Sequence, residues 1–332
     1  MICFLLTLQP NAHAYMNISD ILQQNKGRHC FSFEVLPPLK GNGTEALFHT
    51  IDRLREFTPL FINITTHHSE FVYKEMDNGL LQRSSIRRRP GTVAIAAAIQ
   101  QRYNIPVMPH IICAGATRED IEYELLDLQF LGIENLMLLR GDKAREDRHF
   151  VPTPGGYAHT TELMEQVRRF NEGYFVDGST IKHPGHPFSY GVACYPEKHE
   201  EAPNLEQDLE HLKEKQDLGA SYAVTQLFYD NEKYYRFVER ARAIGITIPI
   251  VPGIKPFAKL SQLTIVPKTF HCDIPEALAK EALKCKTDED AKALGVAWAT
   301  EQVKDLYRNG INNVHFYTVS AVDSVCKVAS QL

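Results

Sequence analysis

Residues 31–38 read FSFEVLPP. Phe31, Phe33 and Val35 alternate with Ser32 and Glu34, and successive residues of a strand point to opposite faces, so this is a strand with a carboxylate set among its apolar residues. Burying an ionised carboxylate without a partner costs several kcal/mol or forces it to take a proton. Glu34 therefore needs either a partner or a task.

Seven further runs of the same apolar, β-branched kind follow: LFINIT (60–65), PVMPHII (106–112), NLMLLR (135–140), SYGVAC (189–194), YAVTQL (222–227), IPIVPG (248–253) and NVHFYT (313–318). Amphipathic stretches lie between them. In TREDIEYELLDLQFLG (117–132), Thr117 and Asp120 form a capping-box-like start and Gly132 a stop. NLEQDLEHLKEKQDLG (204–219) repeats the scheme, with Asn204 as N-cap and Leu205, Leu209 and Leu212 on one stripe. Eight strands separated by helices, several apolar throughout, predict parallel pairing with both faces covered, hence an α/β fold with a single closed (β/α)8 TIM barrel. A doubly wound open sheet is the runner-up, but no G-x-G-x-x-G follows the first strand and no P-loop is present. Residues 141–188 and 254–311 exceed what a barrel requires and are expected to carry functional loops and extra helices.

The chain has 332 residues, 44% of them apolar, and a net charge of −5, enough for a sizeable core and without the basic field that nucleic acid requires. Its densest cationic run, Arg87-Arg88-Arg89, precedes Pro90-Gly91 and reads as a solvated turn. Seven scattered cysteines with no C-x-x-C pair fit a reducing, cytoplasmic compartment. MICFLLTLQPNAHA (1–14) imitates a short signal peptide but lacks a positive n-region, and Met16 opens a natural-looking start with Ser19 as a helix N-cap candidate. Residues 1–15 are therefore read as an extension or disordered tail, and 16–332 as one domain.

In a barrel the chemistry gathers at the C-terminal ends of the strands. Glu34, Thr65 and Thr66, His110, Arg140-Gly141-Asp142, Tyr195, Gln226, Lys255 and Tyr317 occupy such positions. Taken singly, Gln226 and His110 read equally well as core residues satisfied by a neighbour. Asp142 also reads as a turn residue. His67-His68, His183-x-x-His186, Cys194 and His199 mix loops and uncertain spacings, and are read as solvated or hydrogen-bonding groups with no metal.

These residues resemble the methylenetetrahydrofolate reductase family from about Gly27 to Tyr317. FSFEVLPP is similar to its F-E-x-x-P-P opening, PHIICAGATREDI (109–121) to its P-H-L-T-C-x-x-x-T-R block, and LGIENLMLLRGD (131–142) to its G-I-x-N-I-L-A-L-R-G-D. GVACYPEKHEEA (191–202), LGASYAVTQLFYD (218–230), VPGIKP (251–256) and NVHFYT continue the series in order. The resemblance implies an FAD-dependent barrel that takes hydride from NADH or NADPH and passes it, ping-pong, to methylenetetrahydrofolate, supplying methyl groups for methionine synthesis. It implies Glu34 as the acid that protonates the departing folate nitrogen and Asp142 as the charge that stabilises the resulting iminium. Gln226 and Gln262 would be substrate contacts. FAD contacts carry over onto Thr65, His110, Arg140, Gly141, Asp142, Tyr157, Ala158, Tyr195, His199, Ala202, Asp208 and Lys215. The last two stand seven apart, on one helix face read as opposite Leu205 and Leu212.

There are departures. The family's V-T-Y-G reads ITTHHSE here, so Thr66, His67 and His68 stand along the flavin, and Val319-Ser320-Ala321 follow Thr318 where many members carry a basic residue that reaches the folate. The insert TIKHPGHPFSY (180–190) has no counterpart in the shortest members, and the adenosylmethionine-binding domain of eukaryotic members is expected to be missing. The partners implied are small molecules and further copies of the chain in a homo-oligomer, with neither nucleic acid nor membrane. A barrel flavoenzyme of altered substrate, or a non-catalytic flavin- or folate-binding paralogue, are the competing readings.

Overall fold

A computed structural model of the chain describes residues 17–67, 70–144 and 147–332. The expected extension, residues 1–15, and His68 lie outside them. Eleven strands occur among the described residues: β1 (Cys30–Val35), β2 (Ile62–Ile64), β3 (Glu70–Glu75), β4 (Leu81–Ile86), β5 (Val107–Ile112), β6 (Asn135–Leu139), β7 (Ser189–Cys194), β8 (Tyr222–Thr225), β9 (Ile250–Val251), β10 (Gly253–Ile254) and β11 (Asn313–Tyr317). Nine of them form a parallel sheet in the order β10-β11-β1-β2-β5-β6-β7-β8-β9.

β9 and β10 are the two halves of the expected seventh strand, parted at Pro252, which has no N–H to give to a ladder. β9 pairs with β8 and β10 with β11, so the single run 250–254 touches both edges of the sheet and closes the ring. The eight sequence segments thus become a closed (β/α)8 barrel.

Strand parity sorts the side chains. Phe33, Val35, Ile62, Ile64, Ile111, Leu136, Leu138, Val192, Ile254, Val314 and Phe316 face outward into the core shared with the helices. Phe61, Met108, Met137, Tyr222, Val224 and Val251 face inward, where Ile18, Ile21 and Leu22 of the helix Ile18–Gln24 close the floor. Its amide Ile18 N donates to Asn135 Oδ1 at 3.1 Å, at the start of β6, so the helix sits at the N-terminal ends of the strands. The opposite end is left for the site.

Of the three helix starts read from the sequence, two stand. Thr117 and Asp120 form a full capping box and Asn204 caps its helix through Gln207 N. Ser19, however, lies inside the first helix, and Asn17 is the cap: its Oδ1 accepts from Asp20 N at 2.9 Å and from Ser19 Oγ at 2.8 Å. The antiparallel pair β3–β4 was not expected. Its turn signal, Asp77-Asn78-Gly79, stands in the sequence, and Gly79 takes φ +75° there.

The long excursion after β10 builds a second core of Leu227, Tyr229, Phe257, Val266, Leu278 and Ala291. The helix Asp288–Arg308 approaches the chain so closely that a Cβ on Gly295 would lie 1.6 Å from the Phe257 carbonyl oxygen. Gly295→Ala is therefore expected to destabilise the protein by about 1–3 kcal/mol in urea unfolding, although alanine favours a helix interior by about 1 kcal/mol over glycine. A gain in stability would show that this helix does not seat against Phe257.

Candidate active site

On β1, Ser32 and Glu34 alternate with the outer-core residues Phe33 and Val35 and point into the barrel. Glu34 pairs in register with Asn63 on one side and Tyr317 on the other. Its backbone carbonyl accepts from Thr318 Oγ1 at 2.5 Å, which ties β1 to the end of β11. The side chain is only 15% exposed. Burial pushes its carboxyl up to about 7, and the Lys255 ammonium pulls in the opposite direction.

His110 Nε2 lies 3.8 Å from Glu34 Oε2. The contact resembles an ion pair, but burial, reinforced by His67, pushes His110 down to about 3. At any pH low enough to protonate the imidazole, the carboxyl at about 7 is already neutral. The two are never charged together, and 3.8 Å is too long for a hydrogen bond. Behind them His315 shares a 2.8 Å hydrogen bond with Ser32 Oγ and is likewise pushed down to about 3 by burial. Among the described residues, His110 Nε2, His315 Nε2 and Asn63 Oδ1 are buried with no hydrogen-bond partner. Ser32, Asn63 and His315 were not singled out in the sequence; the parity of NVHFYT, which sets His315 on the same face as Tyr317, was the available signal.

Tyr317 and Gln226 complete this side of the mouth. The Tyr317 hydroxyl donates to Thr225 O at 2.6 Å, while Gln226 Oε1 accepts from its neighbour Leu227 N at 2.9 Å. Thr66 Oγ1 donates to His110 O at 2.5 Å, so the altered turn after β2 is bound to β5.

A second group surrounds the ends of β6 and β7. Arg140 is held by both oxygens of Glu201 and lies over the Phe150 ring, 4.7 Å from its centroid. Gly141 takes φ +83°, and a Cβ there would stand 2.8 Å from that of Ala114. Asp142 follows it, exposed. The Tyr195 and His199 rings meet edge to face at 4.8 Å. His199 N donates to Asp208 Oδ2 at 2.9 Å, and Lys198 is held at φ +82° with its ammonium on the carbonyls of His199 and Ala202. An L-residue pays roughly 1–2 kcal/mol for that backbone region. The loop is tied down from both sides.

Asp208 and Lys215 do share a face, but it flanks the leucine stripe and does not oppose it. At 100° per residue both project within about 80° of Leu205 and Leu212. Asp208 is accordingly buried with Leu209 and Leu212, and Lys215 Nζ donates to Ala193 O on β7 at 3.2 Å. Tyr157 packs under the Arg118 guanidinium, 5.1 Å from its ring centroid, and Ala158 N donates to Glu162 Oε2 at 2.8 Å. Gln262 Oε1 accepts from Ala258 N and Lys259 N at 2.6 and 2.9 Å, capping its own loop. Of the residues considered for a metal, Cys194 is buried facing the outer core, and among the described residues no group of three or more His, Cys, Asp or Glu could hold one.

The motifs and this arrangement have a common counterpart among known proteins. Residues 17–332 match the family described as methylenetetrahydrofolate reductase. The chain belongs to that family. It is 33% identical over 320 residues to methylenetetrahydrofolate reductase (NADH) 1 of Arabidopsis thaliana, covering 95% of this chain and 50% of that protein. The chain thus spans about half the length of the plant relatives it matches. Against 5,10-methylenetetrahydrofolate reductase of Pectobacterium carotovorum it is 30% identical over 307 residues, covering 92% of this chain and 91% of the relative. The enzyme of the same name from Escherichia coli is 29% identical with the same coverage of each chain. Among solved structures, a Clostridium thermocellum protein described as binding two copies of 5-methyl-5,6,7,8-tetrahydrofolic acid superposes with a TM-score of 0.53 at 13% identity, over 93% of this chain and 96% of that one. That likeness shows the shared fold. Among the described residues no helix is long and apolar enough to cross a membrane.

The buried carboxyl has a thermodynamic signature. A Glu side chain titrates near 4.3 in an unfolded chain, whereas Glu34 titrates near 7 in the folded one, so the folded state holds the extra proton between those values. Stability is therefore lost as pH rises from about 4.3 to about 7 and stays lost above. Glu34→Gln is expected to be more stable than the wild type at pH 8, by at most about 4 kcal/mol, with the difference vanishing near pH 4. Thermal unfolding across that range checks it; a pH-independent difference would contradict a buried, protonated Glu34.

Proposed function

We propose that the protein reduces methylenetetrahydrofolate to methyltetrahydrofolate with electrons from NADH or NADPH, using FAD held at the barrel mouth. The observation that carries this reading is Glu34, a carboxyl kept protonated up to about neutral pH at the mouth of a barrel of this family. The folate's methylene bridge joins two nitrogens and accepts hydride only after one C–N bond has opened. That opening requires a general acid whose proton is available at neutral pH.

The donor set around β6 and β7 fits FAD. The Arg140 guanidinium, the Lys215 ammonium and the His199 ring offer charge and N–H groups to a diphosphate, and Thr65, Tyr157, Tyr195, Ala202 and the Gly141 backbone would line the remainder. FAD, when bound, supplies a two-electron carrier between the dinucleotide and the folate. Glu34 gives its proton to the departing folate nitrogen. Asp142, on the exposed turn after β6, places a negative charge that favours the cationic iminium. Gln226, with Oε1 engaged by Leu227 N, keeps its amide N–H groups for a pterin or nicotinamide oxygen. Asp208 would act through the loop it holds, since its Oδ2 already receives His199 N. The same mouth would serve dinucleotide and folate in turn, in a chain that works as a homo-oligomer in the cytoplasm, feeding methionine synthesis.

A barrel flavoenzyme with another substrate is the second reading, favoured by the turn Val319–Ala321, where Ser320 takes φ +57° and no cation stands. Two measurements separate the readings. Purified protein is expected to carry or take up FAD, seen as flavin absorbance; a colourless protein that refuses FAD would sink both. Under anaerobic conditions NADH or NADPH should bleach the flavin and methylenetetrahydrofolate restore it, whereas a flavin bleached but not restored by the folate points to another substrate. In Glu34→Gln the bleaching should persist while the folate step slows by about 10²–10⁴, the usual worth of a general acid. Equal slowing of both halves would refute the assignment.

A further inference from the structure

Lys255 is the position that the family's P-G-I-x-P turn leaves open, and here it is a lysine. Gly253 pairs with His315 and Ile254 with Phe316, so the next step of the same register sets Lys255 level with Tyr317. Tyr317 itself pairs with Glu34. Ile254 faces the outer core, and alternation turns Lys255 to the inner wall. Lys255 and Glu34 thus flank Tyr317 on the inside of the mouth, one strand to either side.

Among the described residues, the other groups around Glu34 leave Lys255 as the one positive charge that faces it. On β5, His110 is neutral wherever Glu34 can ionise, and so is His315 on β11. The loop after β2 brings His67, which faces His110. β2 offers the amide of Asn63. The Tyr317 phenol is committed to Thr225 O on β8, at 2.6 Å. The Lys255 ammonium, by contrast, makes no hydrogen bond and no ion pair within 4 Å among the described residues, although the residue is largely buried.

We propose that Lys255 is the charge partner of Glu34: its ammonium stabilises the carboxylate left behind when the proton has gone to the substrate. The inference rests on the function proposed above. In that step the O–H bond of Glu34 breaks, an N–H bond forms on the folate nitrogen, and the C–N electron pair of the methylene bridge stays with that nitrogen. A negative charge appears on a carboxyl that is only 15% exposed, and the cation on the far side of Tyr317, two strands from Glu34, lowers the energy of its appearance. Burial pulls the Lys255 ammonium down while Glu34 pulls it up, which is the reciprocal of the pull that Lys255 exerts on Glu34. Lys255 acts through Glu34 and is a positioning residue in that sense.

The test compares wild-type holoenzyme with Lys255→Met and Lys255→Arg. The carboxyl of Glu34 is titrated directly by infrared difference spectroscopy, with Glu34→Gln as the blank, and both half-reactions are followed anaerobically against pH. Losing the cation is expected to raise the Glu34 titration by about one pH unit and slow the folate half-reaction up to about fivefold at pH 7. Reduction by NADH should change less than about twofold, and Lys255→Arg should restore titration and rate, since the guanidinium keeps the charge. An unmoved Glu34 titration in Lys255→Met overturns the proposal. So does a rise in the folate KM with kcat and pH profile unchanged, which would make Lys255 a substrate anchor replacing the base missing after Thr318. If the wild type takes up FAD but never passes electrons to methylenetetrahydrofolate, the proposed function itself fails and the role of Lys255 in it fails too, whereas a working wild type beside an unmoved titration removes only the latter.

Discussion

Closing the strands into a ring gives each of them an inward face, and the space behind those faces has no room for bulk water. On β1 that face carries Ser32 and Glu34, on β5 His110, on β11 His315 and Tyr317. The floor is filled by Phe61, Met108, Met137 and Tyr222 and sealed by the helix Ile18–Gln24. Polar groups held above such a floor are desolvated together. The same burial makes the acid a weak one and the two imidazoles non-basic, so of four clustered titratable residues Glu34 is the one whose charge changes near neutrality. Against that background a single lysine at the rim has an electrostatic influence that it would lack in water.

Closure in turn depends on the run IPIVPGI (248–254). Pro252 interrupts the ladder, one half serving β8 and the other β11, and the chain that follows must leave the barrel at Phe257 and enter the second core. Gly253 permits this: a Cβ there would meet Thr225 O at 2.4 Å and the Tyr317 ring at 2.6 Å. The bond from Tyr317 to Thr225 O, the missing side chain at 253 and the inward turn of Lys255 are therefore one packing arrangement. The loop 195–202 on the far side is held in another way, through a positive-φ lysine tied to two carbonyls and a buried aspartate beneath. One rim is organised by strand register and the other by loop hydrogen bonds.

Much of this was legible in the chain. Eight strand segments, the caps at Thr117 and Asn204, the two long excursions and the inward placement of Glu34 all follow from periods of two and 3.6 residues, which are local properties of the backbone. Ser19 was misread because two polar residues, Asn17 and Ser19, compete for one cap, and only geometry shows that Asn17 reaches the third amide. The hairpin β3–β4 was overlooked although Asp77-Asn78-Gly79 announced it. Asp208 and Lys215 were set on the wrong side of their helix; their true angular position shows that one anchors the loop at His199 and the other reaches β7.

By itself the sequence determined which residues alternate, where the helices capped by Thr117 and Asn204 begin, and which family the motifs belong to, because those depend on neighbours a few positions apart or on ordered short patterns. The tertiary structure alone decided that Glu34 shares its level with Tyr317 and Lys255, that His110 stands 3.8 Å from its carboxyl while His315 bonds Ser32 behind it, and that Gln262 turns back on its own loop. These are relations between strands distant in sequence, set by parallel register around a closed ring, and the shifted acidity of Glu34 follows from them because desolvation depends on everything that surrounds a group and not on the residues beside it in the chain.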